Sequence, residues 1–329
     1  MKKILVTGAT GFLGGHLVRY LSKKGYTVTG TGRNLQKGEW LKEEGISFVP
    51  GDLQQKDFCQ ELVRNHHYII HCAALSEPWG DYQSFYTANV TVTENLLKSA
   101  REHGVKRFIH VSTPSIYFRY NDATNVKETA ELPKRFANHY AHTKYIAEQK
   151  VKQYQEKGLE TIIIRPRGLF GPEDSTILPR LLTLNKTKGI PLFNNGKTLI
   201  DLTYVENVAH ALELSLEKGE VGQTYNISNG EPYSFKSLCD LLFTHLKINV
   251  QYKKLPYPVI FRVAYFLEAI YQLPFIKKEP FITRYSVSVL GNSQTLSIEK
   301  ARKELGYEPL ISIEEGIIHY ANWYKSIYS

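Results

Sequence analysis

The stretch TGATGFLG, Thr7 to Gly14, constrains the fold more than any other part of the chain. It follows the apolar run Ile4-Leu5-Val6 and precedes Leu17, Val18 and Leu21, which recur at helical spacing. Strand, glycine turn and helix in that order point to a site for a dinucleotide. Gly8 permits a tight turn. Gly11 lets backbone N–H groups approach a pyrophosphate at the helix N-terminus, where Phe12 and Leu13 begin the helix. Gly14 lets the helix pack close to the strand. The GxxGxxG spacing differs from the GxGxxG of many dinucleotide folds, so the flanking strand and helix carry the reading.

The alternation continues downstream. Strands are predicted at Lys3 to Thr7, Tyr26 to Thr31, Ile46 to Val49, Tyr68 to Cys72, Arg107 to Ser112 and Glu160 to Arg165. Helices are predicted at Phe12 to Lys24, Phe85 to His103 and Tyr140 to Lys157. Buried-type strands alternating with helices describe an α/β fold with a doubly wound parallel sheet. After Arg165-Pro166 prolines and glycines become frequent and the rhythm is lost. The expected division is a dinucleotide-binding domain over 1–165, with return segments near 198–228, and a smaller, mostly helical C-terminal substrate lobe over 166–329. A chain of 329 residues, 42% of them hydrophobic, is ample for such a core.

Composition removes several classes of function. The net charge of +9 comes from scattered Lys and Arg, without the blocks that mark nucleic-acid binding. Three cysteines, Cys59, Cys72 and Cys239, form no CxxC pair, so neither a disulfide framework nor a metal site is expected, and a reducing cytoplasm is the natural home. The apolar part of the N-terminus is too short for a signal peptide. The stretch PYPVIFRVAYFLEAIYQLPF is interrupted by Arg262 and Glu268 and fails as a membrane span.

The second strand closes as TVTGTGRN. NAD-binding folds usually place a carboxylate at this strand end for the ribose 2′-OH; here Gly32 stands there and Arg33 follows. A guanidinium binds a 2′-phosphate that a carboxylate would repel, which favours NADP, with NAD the alternative. GDL, Gly51 to Leu53, offers Asp52 to the adenine amino group, and the small Ala73 and Ala74 of HCAAL let backbone lie along the cofactor.

YAHTK places Tyr140 and Lys144 on one face of a predicted helix. A nearby ammonium lowers a phenol's pKa and makes it a usable proton donor and acceptor. The pattern is cheap among 22 tyrosines, and Tyr20 with Lys24 repeats it on a helix surface far from the expected nicotinamide. Ser112, Thr113 and Ser115 compete to hold a substrate oxygen at the end of the fifth strand.

In order, TGATGFLG, GDL, HCAA, VSTPSIY, YAHTK and RPRGLFGPED resemble the extended short-chain dehydrogenase/reductase family over nearly the whole chain. The resemblance implies a Rossmann-type domain, a nicotinamide cofactor and a catalytic Tyr140–Lys144 pair. Its hydroxyl lies four residues before Tyr117, which puts that role on Thr113. The cofactor residues implied are Gly8, Gly11, Phe12, Leu13, Gly14, Arg33, Asp52, Leu53, Ala73, Ala74, Tyr140, Lys144 and Pro166. Dehydratases of the family carry an Asp-Glu pair where Pro114 and Ser115 stand here. Nucleotide-sugar epimerases usually carry an arginine where Ile200 precedes Asp201. WGDYQSFYTANV and DLTYVENV look instead like the 3β-hydroxysteroid dehydrogenases, the long-chain 3-keto acid reductases and the sterol-4-carboxylate dehydrogenases.

The expected activity is therefore an NADP-dependent oxidoreductase acting on an apolar carbonyl or secondary alcohol. The rivals are a nucleotide-sugar 4-epimerase with tightly bound NAD, for which Arg180 or Arg284 would have to replace the missing arginine, and a non-enzymatic cofactor sensor. The aromatic stretch Pro256 to Phe281 suits a greasy pocket or a lobe core. A small-molecule substrate is the expected partner. Nucleic acid is not expected, nor is membrane contact, despite Lys277 and Lys278 beside that stretch, and a homodimer stays open.

Overall fold

A computed structural model describes residues 2–271 and 280–328. Seven strands form one parallel sheet: β1 (Lys3–Thr7), β2 (Thr27–Gly32), β3 (Ser47–Pro50), β4 (Tyr68–His71), β5 (Arg107–Val111), β6 (Glu160–Pro166) and β7 (Thr224–Ile227). Their spatial order is β3-β2-β1-β4-β5-β6-β7. Direction of winding reverses between β1 and β4, which opens a crevice at the strand ends. Ile4, Leu5 and Val6 of β1, Ile69 and Ile70 of β4, and Ile162 and Ile164 of β6 are fully or almost fully buried, as strands covered on both faces require.

Helix Phe12–Lys23 buries Leu17, Val18 and Leu21 on the sheet. The helix predicted over 85–103 is built differently. It runs as Tyr82–Tyr86, a π-helical turn Thr87–Thr91, and Val92–Glu102. The widened turn holds the buried Asn89, whose side-chain amide bridges Leu75 and Thr143. Two short helices, Leu35–Glu43 and Lys56–Val63, went unpredicted. The first buries only Gly38 and Leu41, too little for an apolar stripe to show.

The remainder is a mixed, mainly helical part. A four-stranded sheet gathers Ala123–Val126, Leu199–Ile200, Tyr233–Ser234 and Gln294–Leu296. Around it lie helices that include Ile177–Thr187, Phe235–Leu246, Tyr257–Tyr271, Arg284–Gly291 and Ile313–Tyr328. Helix Tyr257–Tyr271 is not an ordinary core helix. Only Ala264 and Glu268 on it are buried, while Val259, Val263, Phe266 and Ile270 face outward. Its contacts run through Tyr257, Ile260 and Phe261 to Phe193 and Val287. Lys277 and Lys278 lie outside the described residues. No helix among the described residues is long and apolar enough to cross a membrane.

Candidate active site and cofactor crevice

The glycine loop is compact because side chains have no room in it. Gly8 sits at φ +71°, and a Cβ there would stand 2.8 Å from the Ala73 nitrogen. A Cβ on Gly14 would stand 2.1 Å from the Gly8 carbonyl oxygen, so the close approach that Gly14 permits is to the loop itself rather than to β1. Gly11 N–H donates to the Gly8 carbonyl at 2.9 Å, which ties the turn shut. No side chain caps the following helix. The amides of Phe12, Leu13 and Gly14 in its first turn therefore face a cradle suited to an anion.

Residues expected along a dinucleotide ring this crevice. Ala73 N donates to Thr7 Oγ1 at 3.2 Å, which holds the end of β4 against the loop. Ala74 follows it and is exposed. Asp52 Oδ1 accepts from Gln54 N at 3.0 Å, and the Leu53 carbonyl is fixed by Asn95 at 3.2 Å. Pro166 ends β6 and is buried. Arg33 is exposed just past β2. Thr10 fills the space beside Gly32, where a Cβ would stand 2.5 Å from Thr10 Oγ1.

Catalytic candidates converge at the ends of β5 and helix His139–Glu156. Asn138 caps that helix by accepting from Ala141 N at 2.9 Å. Tyr140 lies in its first turn, half-buried, and Lys144 follows one turn on, only 1% exposed. Lys144 Nζ donates to the Val111 carbonyl at 2.6 Å and lies 3.2 Å from His110 Nε2. Burial lowers the lysine's pKa to about 8, against the opposing pull of Glu148. Tyr140 departs from the sequence expectation. Burial pushes its pKa up to about 12, a hydrogen bond with Thr113 opposes the rise, and Lys144 is not among the groups that shift it.

Of the three competing hydroxyls, Thr113 is the one that eases the rise in the Tyr140 pKa. It also accepts from Ser115 N and donates to Ser115 Oγ, both at 3.1 Å. Ser112 Oγ is buried without a partner among the described residues, and Ser115 Oγ lies 3.2 Å from the hydroxyl of Tyr285. Tyr20, the rival tyrosine, is committed elsewhere: its hydroxyl donates to Glu213 at 2.8 Å.

Sequence reasoning missed the polar frame behind these groups. Arg165 Nε and Nη2 bind both oxygens of Glu148, at 2.8 and 2.5 Å, and Nη1 reaches the Tyr117 hydroxyl. Glu148 continues the Tyr140–Lys144 spacing by four residues, a legible signal. His71 and His110 were not legible, because they sit inside strands that read as apolar. Thr93 donates to the Asn89 carbonyl, so His71 Nε2 carries the proton given to Thr93 and Nδ1 accepts from Thr7. Burial and the nearby Lys144 hold His71 neutral, with a pKa of about 3. Burial, Lys144 and His71 likewise push His110 well down. A neutral His110 can accept from the Lys144 ammonium, which leaves its own proton on Nδ1.

Known proteins resemble this chain in family and fold. Residues 4–228 match the family model described as NAD dependent epimerase/dehydratase family. The chain is 38% identical to the uncharacterized protein YbjS of Escherichia coli (strain K12), covering 98% of each. It is 33% identical to the 2-alkyl-3-oxoalkanoate reductase of Stenotrophomonas maltophilia, covering 96% of this chain and 97% of that one. With the decarboxylating sterol-4-alpha-carboxylate 3-dehydrogenase of Mus musculus the identity is 30%, over 96% of this chain and 89% of that one. Among solved structures, gox2253 superposes with a TM-score of 0.82 at 26% identity, covering 100% of this chain and 99% of that one. The UDP-glucuronic acid 4-epimerase of Bacillus cereus, in complex with NAD, gives 0.79 at 23%, covering 99% and 100%, a likeness of fold alone.

Proposed function

Because the chain belongs to the NAD-dependent epimerase/dehydratase family, as an NAD(P)-dependent extended short-chain dehydrogenase/reductase, we propose that it is an NADP-dependent reductase of apolar 3-keto acids or steroid-like ketones in the reducing cytoplasm. The nicotinamide supplies the hydride when bound. Tyr140, with a pKa of about 12, holds its proton at neutral pH and can give it to the carbonyl oxygen. Thr113 orients that oxygen. Lys144 is anchored at Val111 and His110 with one ammonium proton left for the cofactor ribose.

One observation carries the choice of substrate over a nucleotide sugar. Arg284 Nε lies 2.6 Å from Glu268 Oε2, and Arg284 N donates to Oε1 at 2.6 Å. Of the two arginines that could replace the missing diphosphate clamp at Ile200, Arg284 is thus already neutralised, while Arg180 stands exposed on helix Ile177–Thr187. Binding a diphosphate at Arg284 would leave Glu268, 7% exposed, without its partner. NADP is favoured over NAD by Arg33 and by Thr10, which occupies the space where a carboxylate at position 32 would begin.

Two measurements on the purified protein test this. NADPH oxidation should occur with apolar 3-keto compounds, and interconversion of UDP-glucose and UDP-galactose should be absent; steady epimerisation would overturn the reading. Titration should favour NADPH over NADH by about ten- to a hundredfold, the worth of a charge-assisted pair of roughly 1.5–3 kcal/mol, and Arg33→Ala should erase most of that preference. Equal affinities in the wild type would sink the NADP assignment alone.

A further inference from the structure

Tyr285 carries the C-terminal lobe to the catalytic hydroxyls. It stands in the first turn of helix Arg284–Gly291, where Thr283 and Ser286 form a reciprocal capping box. Its ring packs on Phe118 with centroids 4.7 Å apart. Its backbone is held next door, where Arg284 is bound to Glu268. The hydroxyl, so fixed, lies 3.2 Å from Ser115 Oγ. A run of hydroxyls results, from Thr113 through Ser115 to Tyr285.

The protons in this run do not suit a substrate with one oxygen. Thr113 has a single proton and donates it to Ser115. To hold a reacting carbonyl, Thr113 must turn that proton to the substrate. Ser115 Oγ then loses the donor it had, in a pocket where lost hydrogen bonds are costly. The Tyr285 O–H can take over that donation, which frees the Ser115 proton for a second substrate oxygen beside the first. The two oxygens of a 1,3-dioxygenated compound stand about as far apart as two hydrogen-bonded oxygens, which is also the spacing of Thr113 and Ser115 at 3.1 Å.

We propose that Ser115 and Tyr285 form a second oxygen-binding pair, which selects substrates bearing an oxygen function on the carbon β to the reacting carbonyl. The proposal rests on the reductase reading and narrows it. It makes Tyr285 a specificity-determining residue contributed by the lobe.

The test compares a β-keto ester with the plain ketone of equal chain length, both with NADPH. The wild type should prefer the β-keto ester in kcat/KM. Tyr285→Phe keeps the ring on Phe118 and should lower the ratio of the two kcat/KM values by about tenfold, the worth of one hydrogen bond. Ser115→Ala, which keeps the backbone N–H that Thr113 accepts, should lower the same ratio. A merely structural role would reduce both substrates alike, and a ratio unchanged in both variants overturns the proposal. Wild-type protein that turns over the plain ketone as well as the β-keto ester overturns it while the reductase reading stands. Turnover of neither defeats both.

Discussion

Tyr140 shows how far a single side chain's setting departs from its motif. The spacing to Lys144 predicts a phenol with a lowered pKa, whereas burial dominates and raises it to about 12, with the ammonium turned to Val111 and His110. A proton-loaded tyrosine suits carbonyl reduction. Tyr140→Phe keeps the ring and removes the proton, so turnover should fall by a factor on the order of 10² or more while cofactor affinity barely changes. Tyr20→Phe removes a bond to Glu213 on another face and should leave turnover intact. Comparable losses from the two changes would contradict the assignment. The identities of Tyr140, Lys144 and Thr113 were legible in sequence because each lies within a local motif. Tyr285 was not, since it meets Ser115 across 170 residues and nothing local marks it.

At the scale of elements, the strands were legible to within a residue or two because parallel strands buried on both faces read as unbroken apolar runs. β7 was less visible: its four residues, TYNI, carry Asn226, which serves Tyr117 and Val126 rather than the core. The π-helical turn at Thr87–Thr91 has no periodic signature either, since one widened turn only shifts the stripe that follows it. The glycine loop and its helix form the most demanding junction. Gly14→Ala would set a Cβ against the Gly8 carbonyl, backbone that cannot swing aside. Cofactor affinity should fall at least tenfold and the melting temperature should drop by several degrees, as overpacking costs typically ~1–3 kcal/mol. Gly15→Ala, whose new Cβ would find its nearest neighbours at 3.4 Å, is the control and should change little in either measurement. Equal effects from the two substitutions would show that the loop is not close-packed.

For the molecule as a whole, the buried histidines set a limit on the acid side. His71 has a folded-state pKa of about 3 against an ordinary 6.5, and His110 is shifted in the same direction. Below pH 6.5 the unfolded chain binds protons that the folded chain refuses, so stability falls as pH falls toward 3. The slope approaches ~1.4 kcal/mol per pH unit for each such histidine. Denaturant unfolding between pH 6.5 and 5, above the range where carboxylates titrate, should show this decline. His110→Gln, which can still accept from Lys144, should make it shallower. A stability flat across that interval would mean that these rings protonate in place.

The late arrival of β7 has a consequence for synthesis. β6 is complete at Pro166, but the strand that covers its free edge begins only at Thr224. A ribosome must therefore add nearly sixty residues, helix Val205–Glu217 among them, while the nascent chain holds a strand with Ile162, Ile163 and Ile164 and one open row of backbone donors and acceptors. Such an edge recruits any neighbouring extended chain. Chaperone demand, sensitivity to slowed translation and insolubility of truncated products should all concentrate in this window.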